Sequence, residues 1–246
     1  MKSPVTRWVT HLLGLLAAVA TFLVPPAKSF QEPNLARIVV VHLPCALMTV
    51  WWLGASAWLA FRSLRTRSPE FGEKHAVAWE LSTIFSLYAI TTGILFSRVQ
   101  WGAWWQRDPR QESFLFVVLI LVAGILIRNG LADPVRRQVA SAAYTLISFP
   151  TLIFLILVYP RLPSIQRTSF HPSTTIAQGG FELSYKLALY AVFGTLLVVA
   201  TVIYRARARA LGLQRELELA HANLDAHRRD LTGRAVVRPV SVSEPN

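Results

Sequence analysis

The sequence predicts an all-α, polytopic membrane protein with six transmembrane helices, both termini in the cytoplasm and a short cytoplasmic helix near the C-terminus. Three observations carry this reading. Of the 246 residues, 53% are hydrophobic and only 15% charged, and the mean hydropathy is +0.42, outside the range of ordinary soluble domains. The apolar residues collect into six runs long enough to cross a bilayer. The 25 basic residues fall between those runs in short clusters, so the net charge of +12 marks cytoplasmic anchors and speaks against nucleic acid as a partner.

The first run, residues 8–24, follows Lys2 and Arg7 and precedes Pro25 and Pro26. No small-x-small cleavage pattern follows it, so it reads as a retained first span rather than a signal peptide. Residues 38–61 form the second span, 76–97 the third, 114–132 the fourth, 139–159 the fifth and 183–204 the sixth. The purely apolar part of the fourth ends at Ile127, so Arg128 must extend toward a headgroup for that helix to cross. Of the basic residues, 17 lie at the N-terminus, in the even-numbered loops and in the tail, and 8 lie in the odd-numbered loops and their helix ends. Basic loops stay in the cytoplasm, which places both termini there.

Residues 1–204 therefore read as one membrane domain. Residues 205–231 read as a charged cytoplasmic helix in which Leu213, Leu217, Ala220, Leu224, His227 and Leu231 recur at spacings of four and three. Two heptads are too few to define a coiled coil, so a solvated helix along the membrane surface is the expectation. Residues 232–246, rich in Arg, Val, Ser and Pro, read as a disordered tail.

The orientation has a chemical consequence. The stretch WGAWWQRDPR, residues 101–110, falls in the outer loop between the third and fourth spans and holds three of the eight tryptophans. Indole faces at a membrane boundary make a shelf for a flat, partly apolar ligand. His42, one turn into the second span, and His171, in the outer loop before the sixth, lie on the same side, with Pro44 and Pro172 restricting their backbones. Two neutral imidazoles on opposite faces of a porphyrin fill both axial positions of haem iron without covalent attachment. Arg98, Arg107 and Arg110 are available for forked hydrogen bonds to propionates, although Arg98 and Arg107 can instead mark the membrane boundary, the role that the helix-end position of Arg98 favours. Asp108 is expected either to pair with an arginine or to cap the fourth helix, with Pro109 at its first position.

Other residues carry less. Cys45 is the only cysteine, which excludes a disulfide framework, a Cys-rich metal centre and a CxxCH haem attachment. His11 and His75 could face a second haem near the cytoplasm but read better as helix-end residues meeting headgroups, and His221 and His227 belong to the tail. Trp51, Trp52, Trp58 and Trp79 read as packing and interface residues. Glu80, inside the third span, must find a partner or water. No P-loop, Ser-His-Asp set or paired carboxylate appears, so hydrolysis and phosphoryl transfer have no support.

WGAWWQRDPR resembles the WWD signature of the haem-handling proteins of cytochrome c biogenesis, close to WGTWWxWDxR. VHLPCALMTVWW, from Val41, resembles that family's first histidine segment and FHPS at 170–173 its second. Over about residues 5–205 the chain is similar to the haem exporter protein C family, CcmC. Gln106 and Arg107 stand where the family has an apolar residue and a third tryptophan, giving a smaller and more basic platform.

The resemblance implies a non-enzymatic protein of the bacterial inner membrane that holds haem b transiently and non-covalently at the periplasmic surface. His42 and His171 would be its axial ligands, and Trp101, Gly102, Trp104, Trp105, Asp108 and Arg110 the loop that contacts haem or its recipient. It further implies, as partners besides membrane lipid, the haem chaperone or E component, the A and B components of an ATP-binding-cassette complex, and the small D component. Two alternatives remain open from sequence: haem delivery straight to apocytochrome c in the manner of CcsA-like proteins, and a haem b subunit of a membrane redox complex. A haem-free transporter would need helices broken near the midplane, and these spans are mostly unbroken apart from Pro150.

Overall fold

The computed structural model describes residues 4–27, 30–171 and 182–234. All the described elements are helical: α1 (Pro4–Leu23), α2 (Ile38–Thr66), α3 (Pro69–Trp101), α4 (Pro109–Asn129), α5 (Pro134–Ile153), α6 (Pro163–Thr168) and α7 (Leu183–Arg234). Five segments among the described residues are long and apolar enough to cross a membrane: Leu35–Thr66, Pro69–Trp101, Pro109–Asn129, Pro134–Arg161 and Leu183–Arg228. These correspond to the second through sixth predicted spans. In α1 the apolar stretch is shorter, His11–Leu23, and it lies against α7, where the Thr195 hydroxyl donates to the Leu13 carbonyl at 3.5 Å.

Local chemistry starts and stops the helices. Asp108 and Asp133 each sit in extended conformation before a proline at the first helical position and accept a backbone amide, from Arg110 at 2.8 Å and from Arg136 at 2.6 Å. α3 ends at Gly102, whose φ of 83° lets its amide turn back to the Arg98 carbonyl at 3.1 Å. Pro44 lies within α2. Pro150 does not end α5: the helix continues to Ile153, then widens into a π-turn, Phe154–Val158, and closes with a 3-10 turn, Tyr159–Arg161. A proline that removes a ladder hydrogen bond and crowds the preceding turn accounts for this distortion near its position.

α2 and α3 form the central antiparallel pair, joined through small and hydroxyl-bearing residues. Ser82 Oγ donates to the Thr49 carbonyl at 2.9 Å and Ser56 Oγ to the His75 carbonyl at 3.2 Å. Small side chains let backbones approach, and buried hydroxyls satisfied on a neighbouring helix fix the register. α4 joins through Trp79, whose indole donates to the Leu121 carbonyl at 2.9 Å over Gly124. A Cβ on Gly124 would lie 2.6 Å from that indole, so the crossing requires glycine.

Two expectations change. The sixth span and the charged helix are not separate elements, because α7 runs unbroken from Leu183 to Arg234 and takes in the first residues of the predicted tail. The rest of that tail, 235–246, lies outside the described residues. Beyond Tyr204 the helix does not begin as a free surface helix: Arg207 pairs with Glu80 at 3.6 Å and Arg215 with Glu73 at 3.1 Å, docking it on α3. Leu213, Leu217 and Leu224 of the predicted stripe are exposed. His75 is no headgroup residue. It is buried between Ser56 of α2 and Thr145 of α5, each 3.4 Å from a ring nitrogen, while His11 is exposed, so the two form no facing pair.

Candidate functional site

The start of α2, the end of α3, the start of α4, the distorted end of α5 and the short α6 all lie at one end of the bundle, an arrangement dictated by antiparallel neighbours joined by short loops. His42 and residues 101–110 and 171 share that end.

His171 is held by Asp108. The carboxylate is fully buried and accepts from the Phe170 amide at 2.6 Å and from Ser169 Oγ at 2.9 and 3.1 Å, and its Oδ2 lies 3.3 Å from His171 Nδ1. Burial alone would raise its pKa. The hydrogen bond and charge of His171, with the Arg110 amide and the Ser169 hydroxyl, outweigh that and hold the carboxyl well below the usual carboxylate range. An ionised carboxylate only accepts, so His171 Nδ1 carries a proton, and in the neutral form of the ring the lone pair is on Nε2. Trp101 packs edge-on against the imidazole at 5.2 Å and also against Phe170 at 5.8 Å and Phe96 at 5.6 Å.

His42 is held by α3. Its Nδ1 lies 3.0 Å from the Ala89 carbonyl and 3.1 Å from Thr92 Oγ1, and Thr92 directs its own hydroxyl at the Tyr88 carbonyl, 2.7 Å away. A carbonyl oxygen also only accepts, so the same tautomer follows: proton on Nδ1, lone pair on Nε2. The ring packs against α3 at Gly93, where a Cβ would sit 2.9 Å from Cε1. The two imidazoles are near enough to interact electrostatically.

The remaining predicted residues divide. Gly102 is the left-handed end of α3, and the Arg98 guanidinium both donates to its carbonyl and lies 5.9 Å from the Trp104 ring centroid. Arg98 is therefore part of the tryptophan loop rather than only a boundary residue. Trp104 is 57% exposed and Trp105 half-buried. Arg107 is exposed with a left-handed φ of 52°. Arg110 reaches inward, donating to the Pro160 carbonyl at 3.1 Å, so it ties α4 to the end of α5. Asp108 takes the capping role but has the segment 169–171 as its main partner rather than an arginine side chain. Gln106 folds back, its amide donating to the Trp101 carbonyl at 2.9 Å. Pro172 and Ser173 lie outside the described residues.

Sequence reasoning missed Gln100, Gly93, Thr92 and Ser169. Gln100 is 1% exposed and clamps the first loop, its Nε2 donating to the Glu32 carbonyl at 2.9 Å and its Oε1 accepting the Glu32 amide at 3.1 Å. No sequence period distinguishes a clamping glutamine at a helix end from a solvated one. Among the described residues there is no group of three or more His, Cys, Asp or Glu suited to a bare metal ion. Two imidazoles suffice only where the ligand itself supplies the equatorial donors, as a porphyrin does.

Comparison with known proteins identifies the family. Residues 1–221 match the model of the family described as "CcmC: Heme exporter protein C". Heme exporter protein C of Bradyrhizobium diazoefficiens is 24% identical over 91% of this chain and 88% of its own length, and that of Escherichia coli K12 is 26% identical over 70% and 69%. A putative cytochrome c biosynthesis ccmC-like mitochondrial protein of Arabidopsis thaliana is 32% identical over 51% of each chain. With nine-tenths of its length matched by the family model, this multi-pass helical chain belongs to the haem exporter protein C family.

Proposed function

We propose that this protein carries haem as cargo, not as a resident cofactor, and holds it non-covalently between His42 and His171 at the outer face of the membrane. The family is a haem-handling membrane component of cytochrome c biogenesis and not an enzyme. The observation that carries the residue assignment is the matched tautomers. Each Nδ1 is committed to an acceptor-only group, the Ala89 carbonyl or the Asp108 carboxylate, so both rings keep the lone pair on Nε2, the form that ligates iron. Trp101 and the exposed Trp104 and Phe170 supply apolar faces for the macrocycle, and the exposed Arg98 and Arg107 supply cations for propionates.

In this reading α1 completes six spans, both termini are cytoplasmic, and the site faces the periplasm of a bacterial inner membrane. Residues 1–204 are the membrane body and 205–231 its cytoplasmic extension. The charge bias of the loops supports the orientation. The haem passes to the periplasmic chaperone, the E component, with the A, B and D components as assembly partners. A fixed redox haem is less well supported, because His171 follows the end of α6 at Thr168 and does not lie on a bilayer-spanning helix. The deciding measurement is the absorption spectrum of purified protein from haem-replete cells. A bis-histidine haem b spectrum is expected for the wild type and its loss in His42→Ala and His171→Ala, whereas a folded, haem-free wild type would overturn the proposal.

A further inference from the structure

We propose that the opposite end of the bundle holds a binding site for the phosphate of an anionic phospholipid, built around Arg128. This is independent of the haem reading. A cleft of about 190 Å³ lies where α3, α4, α5 and α7 meet, lined by Glu73, Arg128, Arg137, Gln138, Gln214 and Arg215 among others. Arg128 also lines a smaller cavity of about 20 Å³, beside His75, Trp79 and Glu80, so its side chain stands between the two spaces.

The neighbouring charges have partners within the chain. Arg215 is paired with Glu73 at 3.1 Å and Arg207 with Glu80 at 3.6 Å, and Arg137 donates to the Leu131 and Ala132 carbonyls at 2.8 and 3.0 Å. Arg128 is the exception. Half-buried in the last turn of α4, it makes no hydrogen bond or ion pair among the described residues, and Glu80 and Glu73 act on it only from a distance, opposed by Arg137 and Arg207. A guanidinium has five donors in a fixed fork, and withdrawing it from water without an acceptor is costly. The α7 arginines pair with Glu73 and Glu80, and Glu218, the cleft's remaining carboxylate, accepts from Gln214 at 3.0 Å, so among the described residues no acceptor is engaged by Arg128 and an oxyanion from outside the chain would supply one.

Position decides which oxyanion. Arg128 lies at the end of the span Pro109–Asn129, level with Pro69 and Pro134, where the neighbouring spans begin. That is the headgroup layer, and basic pockets between helix ends there suit lipid phosphates. Leu126, Ile127, Val135 and Val139, on the adjacent turns of α4 and α5, are exposed and apolar, so acyl chains have a surface beside the charged cleft. A soluble phosphate would gain nothing from them.

The test uses the full-length protein in neutral detergent, with phosphatidylglycerol, phosphatidylcholine of the same acyl chains, or inorganic phosphate added. Phosphatidylglycerol is expected to raise the melting temperature by about 5 °C more than phosphatidylcholine. Arg128→Gln should lose this difference, and Arg136→Gln, an exposed arginine outside the cleft, should keep it. Equal gains from both lipids, an undiminished gain in Arg128→Gln, or a matching gain from inorganic phosphate overturns the site. Native mass spectrometry of the wild type tests it without a variant. A phosphatidylglycerol adduct should survive collision energies that strip phosphatidylcholine, and simultaneous loss of both refutes it.

Discussion

The buried carboxylate of Asp108 lies 3.3 Å from Nδ1 of His171, and the same carboxylate caps α4 through the Arg110 amide. One side chain thus anchors a helix start and orients an imidazole that follows it by more than sixty residues, with the Ser169 hydroxyl and Phe170 amide as additional donors. It does so from a position with no exposed surface, so a ligand proposed at His171 would feel it through that imidazole rather than by direct contact.

Replacing that carboxylate separates positioning from folding. Asp108→Asn keeps a capping oxygen but offers His171 a weaker acceptor, and it should lower haem occupancy about 10- to 100-fold in affinity, the usual cost of losing a partner that orients a ligand. The cap itself is worth only about 1 kcal/mol, so the protein should still fold. Haem-to-protein ratio and melting temperature, measured together, check this: a full haem complement in Asp108→Asn would show that the contact is incidental.

The pH dependence follows from the same group. A carboxyl whose folded pKa is depressed contributes stability that is complete above its unfolded value and is lost only as pH falls through the folded one. Asp108 is held well below the ordinary range, so the stability gap between wild type and Asp108→Asn should be preserved from neutral pH down to about pH 4, near an unperturbed aspartate's pKa. It should close only in stronger acid. Denaturation profiles of both proteins across this range provide the check, and a gap that closes by about pH 5 would contradict it.

Gly93 gives His42 its seat. The Cβ of Gly93→Ala would come within 2.9 Å of Cε1, forcing the ring off the Ala89 carbonyl. The expected result is a weakened or shifted haem band with helix content unchanged. Thr92→Ala, which removes one of two groups near Nδ1 and leaves the ring's space intact, should have the milder effect. Absorption and circular dichroism spectra of both variants decide the point.

Gln100→Ala removes both hydrogen bonds to Glu32 and leaves a backbone amide and carbonyl seeking partners. If each stays buried the cost is about 1–3 kcal/mol per group. The first loop should detach from the end of α3 and become sensitive to proteolysis between α1 and α2, which a timed digestion reads directly. Gly124→Ala should destabilise by about 1–3 kcal/mol through overpacking against Trp79 while leaving haem spectra unaltered, since it lies far from His42 and His171.

Several of these elements were visible in the sequence because their causes are local. Apolar runs partition into a bilayer whatever surrounds them, and five of the predicted spans appear close to their expected positions. Asp108-Pro109 announced the start of α4, since a capping carboxylate and a preset φ act within one turn, whereas Asp133-Pro134 starts α5 five residues ahead of its expected span. Glu80 needed a partner and found Arg207. The boundary read at Tyr204 is one of composition and does not end a helix. Hydropathy changes there, but helical hydrogen bonds depend on backbone continuity, and nothing breaks it before Arg234.

What the sequence by itself determined is the family, the helical membrane class, and the presence of two histidines and a tryptophan loop between spans. Which atoms those side chains commit was decided only by tertiary structure. Asp108 had arginines as neighbours in sequence and the segment 169–171 as its partners in space, because a buried carboxylate is satisfied by whichever donors reach it when the helices pack. Likewise His42 acquires its tautomer from the Ala89 carbonyl, and among the described residues Arg128 engages no acceptor while α7 supplies arginines to Glu73 and Glu80. Hydrogen-bond partnership is settled by competition across the fold, and no local pattern encodes its outcome.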